Sequence, residues 1–147
     1  MDAEKLINNF VYYEKFDGDP DNMNYSLEMY IVGQREYNIK IWEGYISDLF
    51  RDPYFYPDGW TGFTRDYQEE KGTYGKLHRT IDIDEYLSDL LTYKNREFHF
   101  EETYECLELM TGILEYAKAN GRKVNVSWAE NFCELEDLAD NNFGSDF

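Results

Sequence analysis

The chain has 147 residues, enough for one compact domain with a real hydrophobic core and too few for two comfortable ones. It carries 31 acidic residues against 14 basic ones, a formal net charge of −17, so nucleic acid and anionic membranes are poor direct partners. Aromatic residues make up 18% of the chain, and disordered sequences are depleted in them. The sequence therefore predicts a single folded domain over residues 1–147, attracted to basic proteins.

Several absences favour a cytoplasmic location. No stretch approaches the length of apolar sequence that a membrane span needs. The N-terminus, MDAEKLINNF, is acidic and lacks the basic-then-apolar order of a signal peptide. There are two cysteines, Cys106 and Cys133, and no CxxC pair, which suits a reducing compartment better than a disulfide scaffold.

The first elements change from helical to strand periodicity. Residues 3–16 carry apolar side chains at helical spacing and predict a short helix, with Leu6, Ile7, Phe10 and Val11 on one side. Residues 25–32 and 37–42 instead alternate between two sets of side chains, and Gly33 opens the turn between them. Two alternating runs joined by a glycine-containing turn are typical of an antiparallel hairpin.

The middle of the chain mixes a helical turn, a loop and strand-like segments. Residues 45–50 predict one helical turn, and two prolines and a glycine break regular structure in the following RDPYFYPDGW. Residues 60–67 and 74–81 resemble two further strands, separated by the polar QEEKG. These segments add to the strands of the hairpin.

The C-terminal half predicts two helices and a strand. Asp82 can cap a helix with Glu85 as its capping-box partner. A longer helix spans about 101–119, ends at an Asn-Gly pair, and has an apolar stripe of Tyr104, Leu107, Met110, Ile113, Leu114 and Ala117. A short strand follows at 124–128. The overall prediction is an α+β fold with a largely antiparallel sheet of about five strands and two to four helices packed mainly on one face.

The segment DGDPDNMNYSLE, residues 17–28, has the ligand rhythm of a calcium-binding loop. Its ligand positions hold Asp17, Asp19, Asp21 and Glu28. The sixth position, where a glycine makes the sharp turn, is Asn22, and Glu28 belongs to a segment with strand periodicity rather than to a helix. A weak calcium-binding module is one hypothesis, and an acidic turn rich in Asp, Asn, Gly and Pro is the alternative.

Catalytic signatures are absent from the sequence. It has no glycine-rich phosphate loop, no HExxH and no GxSxG, and no cysteine or serine is placed near a base by a local motif. Adjacent carboxylates are common, but 31 acids in 147 residues produce such pairs by chance. We therefore expect no enzymatic activity, no cofactor and no metal; an enzyme with an unrecognised acidic site is the alternative.

Two segments are candidates for a protein interface. Residues 52–70 mix aromatic anchors with acids, which suits a basic partner, although Trp60 and Phe63 could instead fill the core. The predicted interface residues there are Tyr54, Tyr56, Asp58, Trp60, Asp66, Tyr67, Glu69 and Glu70. Residues 129–147 form an acidic C-terminal segment with six acids and no lysine or arginine, to which Glu134, Glu136, Asp137 and Asp140 belong.

The functional hypothesis is a binding protein that inhibits a basic partner by occlusion. A bacterial immunity protein that neutralises a toxin, such as a nuclease, has this size, charge and lack of catalytic motifs. A phage-encoded mimic of nucleic acid that blocks a host defence nuclease, of the anti-CRISPR or anti-restriction type, is an alternative, because carboxylates can imitate phosphates. Composition does not separate these two hypotheses.

Overall fold

The computed structural model describes residues 3–11, 26–50, 59–70 and 77–129, and confirms the α+β fold. The strands are β1 (Asn9–Val11), β2 (Ser26–Ile31), β3 (Gln34–Trp42), β4 (Leu77–Thr80) and β5 (Val124–Ala129). The helices are α1 (Glu43–Phe50), α2 (Gly62–Arg65), α3 (Ile83–Leu91) and α4 (Glu101–Ala119). The calcium-like residues 17–25 and the acidic residues 130–147 lie outside the described part of the chain.

The five strands form one mixed sheet in the order β1-β3-β2-β5-β4. The predicted hairpin is confirmed: β2 and β3 pair antiparallel, with Leu27 opposite Ile41 and Met29 opposite Ile39. Gly33 in their turn has φ +84°, a left-handed conformation that glycine adopts without steric cost. Strand β5 pairs antiparallel with both β2 and β4, and β1 alone runs parallel to its neighbour β3.

The predicted helix over residues 3–16 is wrong within the part that the structure describes. A single 3-10 turn, Ala3–Leu6, is followed by β1. Asn8 has φ +51°, which breaks the helix, and its N–H donates to the carbonyl oxygen of Glu36 at 2.8 Å. Pairing with β3 therefore outweighs the local helical spacing.

The predicted strand over residues 60–67 is also wrong. Helix α2 continues directly into a π-helical segment, Asp66–Glu70. Gly62 has φ +56° and packs so tightly on α3 that an added Cβ would lie 2.8 Å from the Cβ of Asp89. Phe63, which follows, is fully buried and packs edge-to-face on Tyr86 at 4.7 Å between ring centroids. Contact with α3 fixes this segment as helix.

The other predicted elements are confirmed. Strand β4 lies inside the predicted range 74–81, and β5 begins at Val124. The Asp82 side chain caps α3, since the Glu85 N–H donates to its Oδ1 at 3.1 Å. Helix α4 has the predicted bounds.

The sheet has one apolar face and one polar face. Leu27, Met29 and Ile31 alternate with Glu28 and Tyr30 along β2, and all five side chains are buried. Helices α1 and α4 lie against β2 and β3, on the apolar face. On the polar face, Asn125 donates to the Tyr30 hydroxyl at 3.1 Å. Within the described ranges, no helix combines the length and the apolar character needed to cross a membrane.

Candidate partner-binding surface

The start of α4 is fixed by a carboxylate from another helix. Asp48 on α1 accepts hydrogen bonds from the backbone N–H groups of His99 and Phe100, at 3.0 and 3.1 Å, and from the Thr103 hydroxyl at 2.7 Å. Burial raises the pKa of Asp48, but these three hydrogen bonds outweigh it and hold the pKa below its ordinary value. The negative charge also suits the positive end of the helix dipole.

The inner face of α4 anchors the helix to the sheet. Met110, Ile113 and Ala117 are fully buried, as the apolar spacing predicts. Tyr116 stacks on Tyr37 of β3, with 4.8 Å between ring centroids. Lys118 forms an ion pair with Asp84 at 2.6 Å and so connects α4 to α3. The helix is held at both ends and along its length.

The outer face of α4 is acidic. Glu101, Glu105, Glu108 and Glu115 are all exposed and lie on the side of the helix opposite Met110; we call them the acidic ridge. Among the residues with described side chains, no lysine or arginine forms an ion pair with any of the four. Like charges three or four residues apart on a helix repel each other. The ridge therefore carries negative charge that the described fold leaves uncompensated.

A groove of about 550 Å³ runs between α3 and α4, along one side of the acidic ridge. We call it the α3–α4 groove; its lining includes Leu90, Leu91, Lys94, Tyr104, Leu107, Glu108, Thr111, Gly112 and Glu115. Leu91 is 50% exposed and Tyr104 is 44% exposed. The groove thus combines accessible apolar surface with carboxylates at its rim.

Tyr104 is held in a defined position although it is exposed. Its hydroxyl accepts a hydrogen bond from the Phe98 N–H at 2.9 Å, and its ring packs edge-to-face on the Phe98 ring at 5.0 Å. A rigid, half-exposed aromatic loses little conformational entropy when a partner covers it. The prediction that Tyr104 belongs to the buried stripe of α4 is wrong, because its position lies on the flank of that stripe.

A second groove, of about 480 Å³, lies on the other side of the ridge. It is lined by Glu4, Lys5, Ile7 and Asn9 from the N-terminal segment and by Glu105, Glu108 and Leu109 from α4. Ile7 is 37% exposed there. The acidic ridge is therefore bordered by accessible apolar side chains on both flanks, an arrangement of apolar anchors and charged surroundings that protein interfaces use.

The structure brings together only part of the interface predicted over residues 52–70. Tyr54, Tyr56 and Asp58 lie outside the described residues, as do Glu134, Glu136, Asp137 and Asp140 of the C-terminal segment. Glu69 and Glu70 end the π-helical segment. Trp60 is partly buried, and so is Tyr67, whose hydroxyl forms a hydrogen bond with that of Ser47 at 2.7 Å.

Asp66, in contrast, lies inside the molecule and is only 1% exposed. Its carboxylate accepts hydrogen bonds from Arg79 Nη2 at 2.8 Å and from the Tyr86 hydroxyl at 2.7 Å. Burial, and next the charge of Asp66, raise the pKa of Tyr86 strongly, so this phenol stays protonated. In this arrangement Asp66 joins the π-helical segment to β4 and α3 and presents no surface to a partner.

A second buried carboxylate joins α2 to α3. The backbone N–H and the hydroxyl of Thr64 donate to Asp89 Oδ2 at 3.0 and 2.9 Å, and the hydroxyls of Thr64 and Tyr93 are 2.6 Å apart. Burial raises the pKa of Asp89 to about 6, although the Thr64 hydrogen bonds act in the opposite direction. This carboxyl is a structural group that titrates in the mildly acidic range.

The structure also shows where Glu28 and Cys106 lie. Glu28 lies on β2, as its strand periodicity predicts, and its Oε1 is 3.8 Å from Nη2 of Arg35. Across the described residues, no group of three or more His, Cys, Asp or Glu side chains is arranged to hold a metal ion. Cys106 is a free thiol on the inner side of α4, and burial raises its pKa well above the ordinary value, so it is protonated and unreactive.

The sequence does not lead us to predict the acidic ridge or the α3–α4 groove as a site, although the ridge can be seen in the helical periodicity of the sequence. An apolar stripe on a 3.6-residue period implies an opposite stripe, and on α4 that opposite stripe contains Glu101, Glu105, Glu108 and Glu115. The groove depends on the packing angle of α3 and α4, which no local pattern encodes.

Comparison with known proteins identifies no relative. The chain matches no protein-family model, no curated protein and no solved structure. By its fold and this surface, the protein is a small acidic α+β protein with an exposed, carboxylate-rich helix.

Proposed function

We propose that this protein is a binding-only inhibitor that occludes the functional surface of a basic protein. A bacterial immunity protein that neutralises a nuclease toxin is the type of inhibitor that best fits its properties. The observation that carries the proposal is the acidic ridge, four carboxylates that no described lysine or arginine pairs with, bordered by exposed Leu91, Tyr104 and Ile7.

Charge and apolar anchors have separate roles in this proposal. The net charge of −17 and the ridge attract a basic protein over a distance and speed its encounter. The half-exposed Tyr104 and Leu91 then lose water at the centre of the contact, where most of the binding free energy of an interface arises. Lysines and arginines that normally hold nucleic acid phosphates pair with the glutamates, so that substrate is excluded.

The test begins with the partner. Full-length wild-type protein and the Glu105→Lys/Glu108→Lys variant serve as matched baits, and a basic protein captured by the first and lost with the second is purified. We expect the wild type to inhibit this partner's nucleic acid cleavage at stoichiometric concentration and to compete with its DNA or RNA. A partner whose activity is unchanged by saturating wild-type protein would contradict the proposed inhibition.

A second pair of variants separates the two candidate surfaces. Glu69→Lys/Glu70→Lys changes the net charge by the same amount on the π-helical segment that the sequence predicts as interface. If the acidic ridge carries the contact, reversal on α4 weakens binding at least tenfold more than reversal at 69 and 70. The opposite order would assign the interface to the segment over residues 52–70.

A further inference from the structure

We infer that the α3–α4 groove receives an amphipathic, basic helix of the partner, about three turns long. This inference rests on the proposed function, since it specifies which part of a basic partner makes the contact. The described lining of the groove extends along α4 from Tyr104 to Glu115. At 1.5 Å per residue this is roughly 16 Å, the length of about eleven helical residues.

The walls of the groove determine the pattern that the partner helix must have. Leu91 of α3 and Tyr104 of α4 offer exposed apolar surface, and Leu107 and Leu90 lie buried beneath them. A helix that lies in an apolar groove presents side chains at positions i, i+3 or i+4 and i+7. The partner therefore carries an apolar stripe of two or three large residues facing the groove.

The rim determines the charge. Glu108 and Glu115 belong to both the groove and the acidic ridge, and neither forms an ion pair with a described residue. Lysines or arginines that flank the partner's apolar stripe lie next to these carboxylates. Lys94 on the α3 side is the one basic residue of the described lining, and it repels a helix that is basic on both flanks.

The same charges argue against the chain's own C-terminal segment as the occupant. That segment contains apolar Phe132, Leu135 and Leu138, which suit an amphipathic helix, but it has six acids and no lysine or arginine from 129 to 147. An acidic helix beside the acidic ridge would increase the repulsion. Charge complementarity thus selects a basic segment from another protein.

The experiment uses the full-length protein and a synthetic peptide of about fourteen residues, with leucines on one helical face, lysines and arginines along one flank of that face and glutamines elsewhere. A control peptide has the same composition with the leucines distributed around the helix. Binding is measured by fluorescence anisotropy, and the contact is located by backbone amide chemical shifts. We expect the amphipathic peptide to bind at least tenfold more tightly than its control and to shift the amides of Leu91, Tyr104, Thr111 and Gly112.

Variants expected to weaken or to strengthen peptide binding test the inference further. Leu91→Lys weakens peptide binding at least tenfold, whereas Phe10→Lys, which adds the same charge at an exposed apolar residue of β1, has less than a threefold effect. Glu108→Lys weakens binding and Lys94→Glu strengthens it, since each changes the charge at the rim. Equal affinity for the two peptides, or equal effects of Leu91→Lys and Phe10→Lys, would overturn the inference.

Two other occupants of the α3–α4 groove would give different experimental results. If the peptide binds only to a Leu135→Asp/Leu138→Asp variant, the C-terminal segment fills the groove and the inference is wrong. If Leu91→Lys converts a dimer to a monomer in sedimentation, a second copy of this chain occupies the groove, which also overturns it. If the peptide does not bind but a basic partner is still inhibited through the acidic ridge, the proposed function stands and only the helix-in-groove contact fails.

Discussion

Asp48 shows how one side chain on α1 positions the surface on α4. It accepts three hydrogen bonds at the start of that helix, two of them from the backbone N–H groups of His99 and Phe100, the two residues directly before Glu101. We expect Asp48→Ala to lower the free energy of unfolding by about 2–3 kcal/mol, because hydrogen bonds to a charged acceptor are lost. Urea denaturation measures the change.

Asp48→Asn is the matched control for the charge, since it keeps one acceptor oxygen. Because the pKa of Asp48 is lowered in the folded protein, its ionised form stabilises the fold at neutral pH. The advantage of the wild type over Asp48→Asn is therefore present above about pH 4 and declines as the pH falls through the folded-state pKa. A constant difference from pH 2 to 7 would show that the charge of Asp48 has no role.

Asp89 gives the opposite pH dependence. Its pKa is about 6 in the folded protein and about 3.9 in an unfolded chain, so the folded state binds more protons between these values. This carboxyl therefore lowers the free energy of unfolding as the pH rises from about 4 to about 6, by about 3 kcal/mol in total. Between pH 4 and pH 7 we expect the free energy of unfolding of Asp89→Asn to rise by that amount relative to that of the wild type. Urea denaturation measures the change. Parallel stability curves for the two proteins would contradict this assignment.

At the scale of elements, α4 combines a stable inner face with a self-repelling outer face. Glu105 lies four residues after Glu101 and three before Glu108. Each like-charge pair at this spacing destabilises a helix by about 0.2–0.5 kcal/mol. We expect Glu105→Gln to raise the free energy of unfolding by roughly 0.5 kcal/mol while it weakens binding to a basic partner.

Glu36→Gln is the control for Glu105→Gln, since it removes one exposed negative charge from β3. It should leave both stability and partner binding close to those of the wild type. Thermal and urea denaturation give the first quantity, and surface plasmon resonance gives the second. Loss of stability in Glu105→Gln would mean that the ridge is a structural feature rather than a binding surface.

The elements also show where sequence reasoning succeeds. The hairpin, α3 and α4 are predicted because their periodicity and caps agree with their tertiary contacts, as at Asp82 and Gly33. The N-terminal segment and residues 60–67 are mispredicted because their apolar residues fit more than one period. Distant contacts decide these two cases: the Asn8 N–H binds the Glu36 carbonyl, and Gly62 packs on Asp89.

Distant contacts also limit what the sequence predicts about the candidate site. The acidic stripe of α4 could be predicted from the helical period, but the exposure of Tyr104 could not, because the Phe98 contacts that hold it come from the preceding loop. Burial of Asp66 likewise depends on Arg79 of β4, thirteen residues away. Composition alone correctly indicates an acidic surface but does not say which carboxylates remain accessible.

At the scale of the whole molecule, the charge of −17 is distributed unequally between structural and accessible carboxylates. Asp48, Asp66 and Asp89 are buried and accept hydrogen bonds that join helices and strands. The glutamates of the acidic ridge make no such connection among the described residues. The fold thus uses some of its acids internally and presents others in one direction.

The rate of association with the captured basic partner tests the central claim most directly. Stopped-flow measurements compare wild type, Glu105→Lys/Glu108→Lys and Glu69→Lys/Glu70→Lys across rising salt concentration. We predict a wild-type rate that falls at least tenfold from low to high salt, since salt screens long-range attraction, and a much weaker salt dependence for the α4 variant alone. A rate that is insensitive to salt, or equal for wild type and the α4 variant, would contradict an acidic ridge that captures a basic protein.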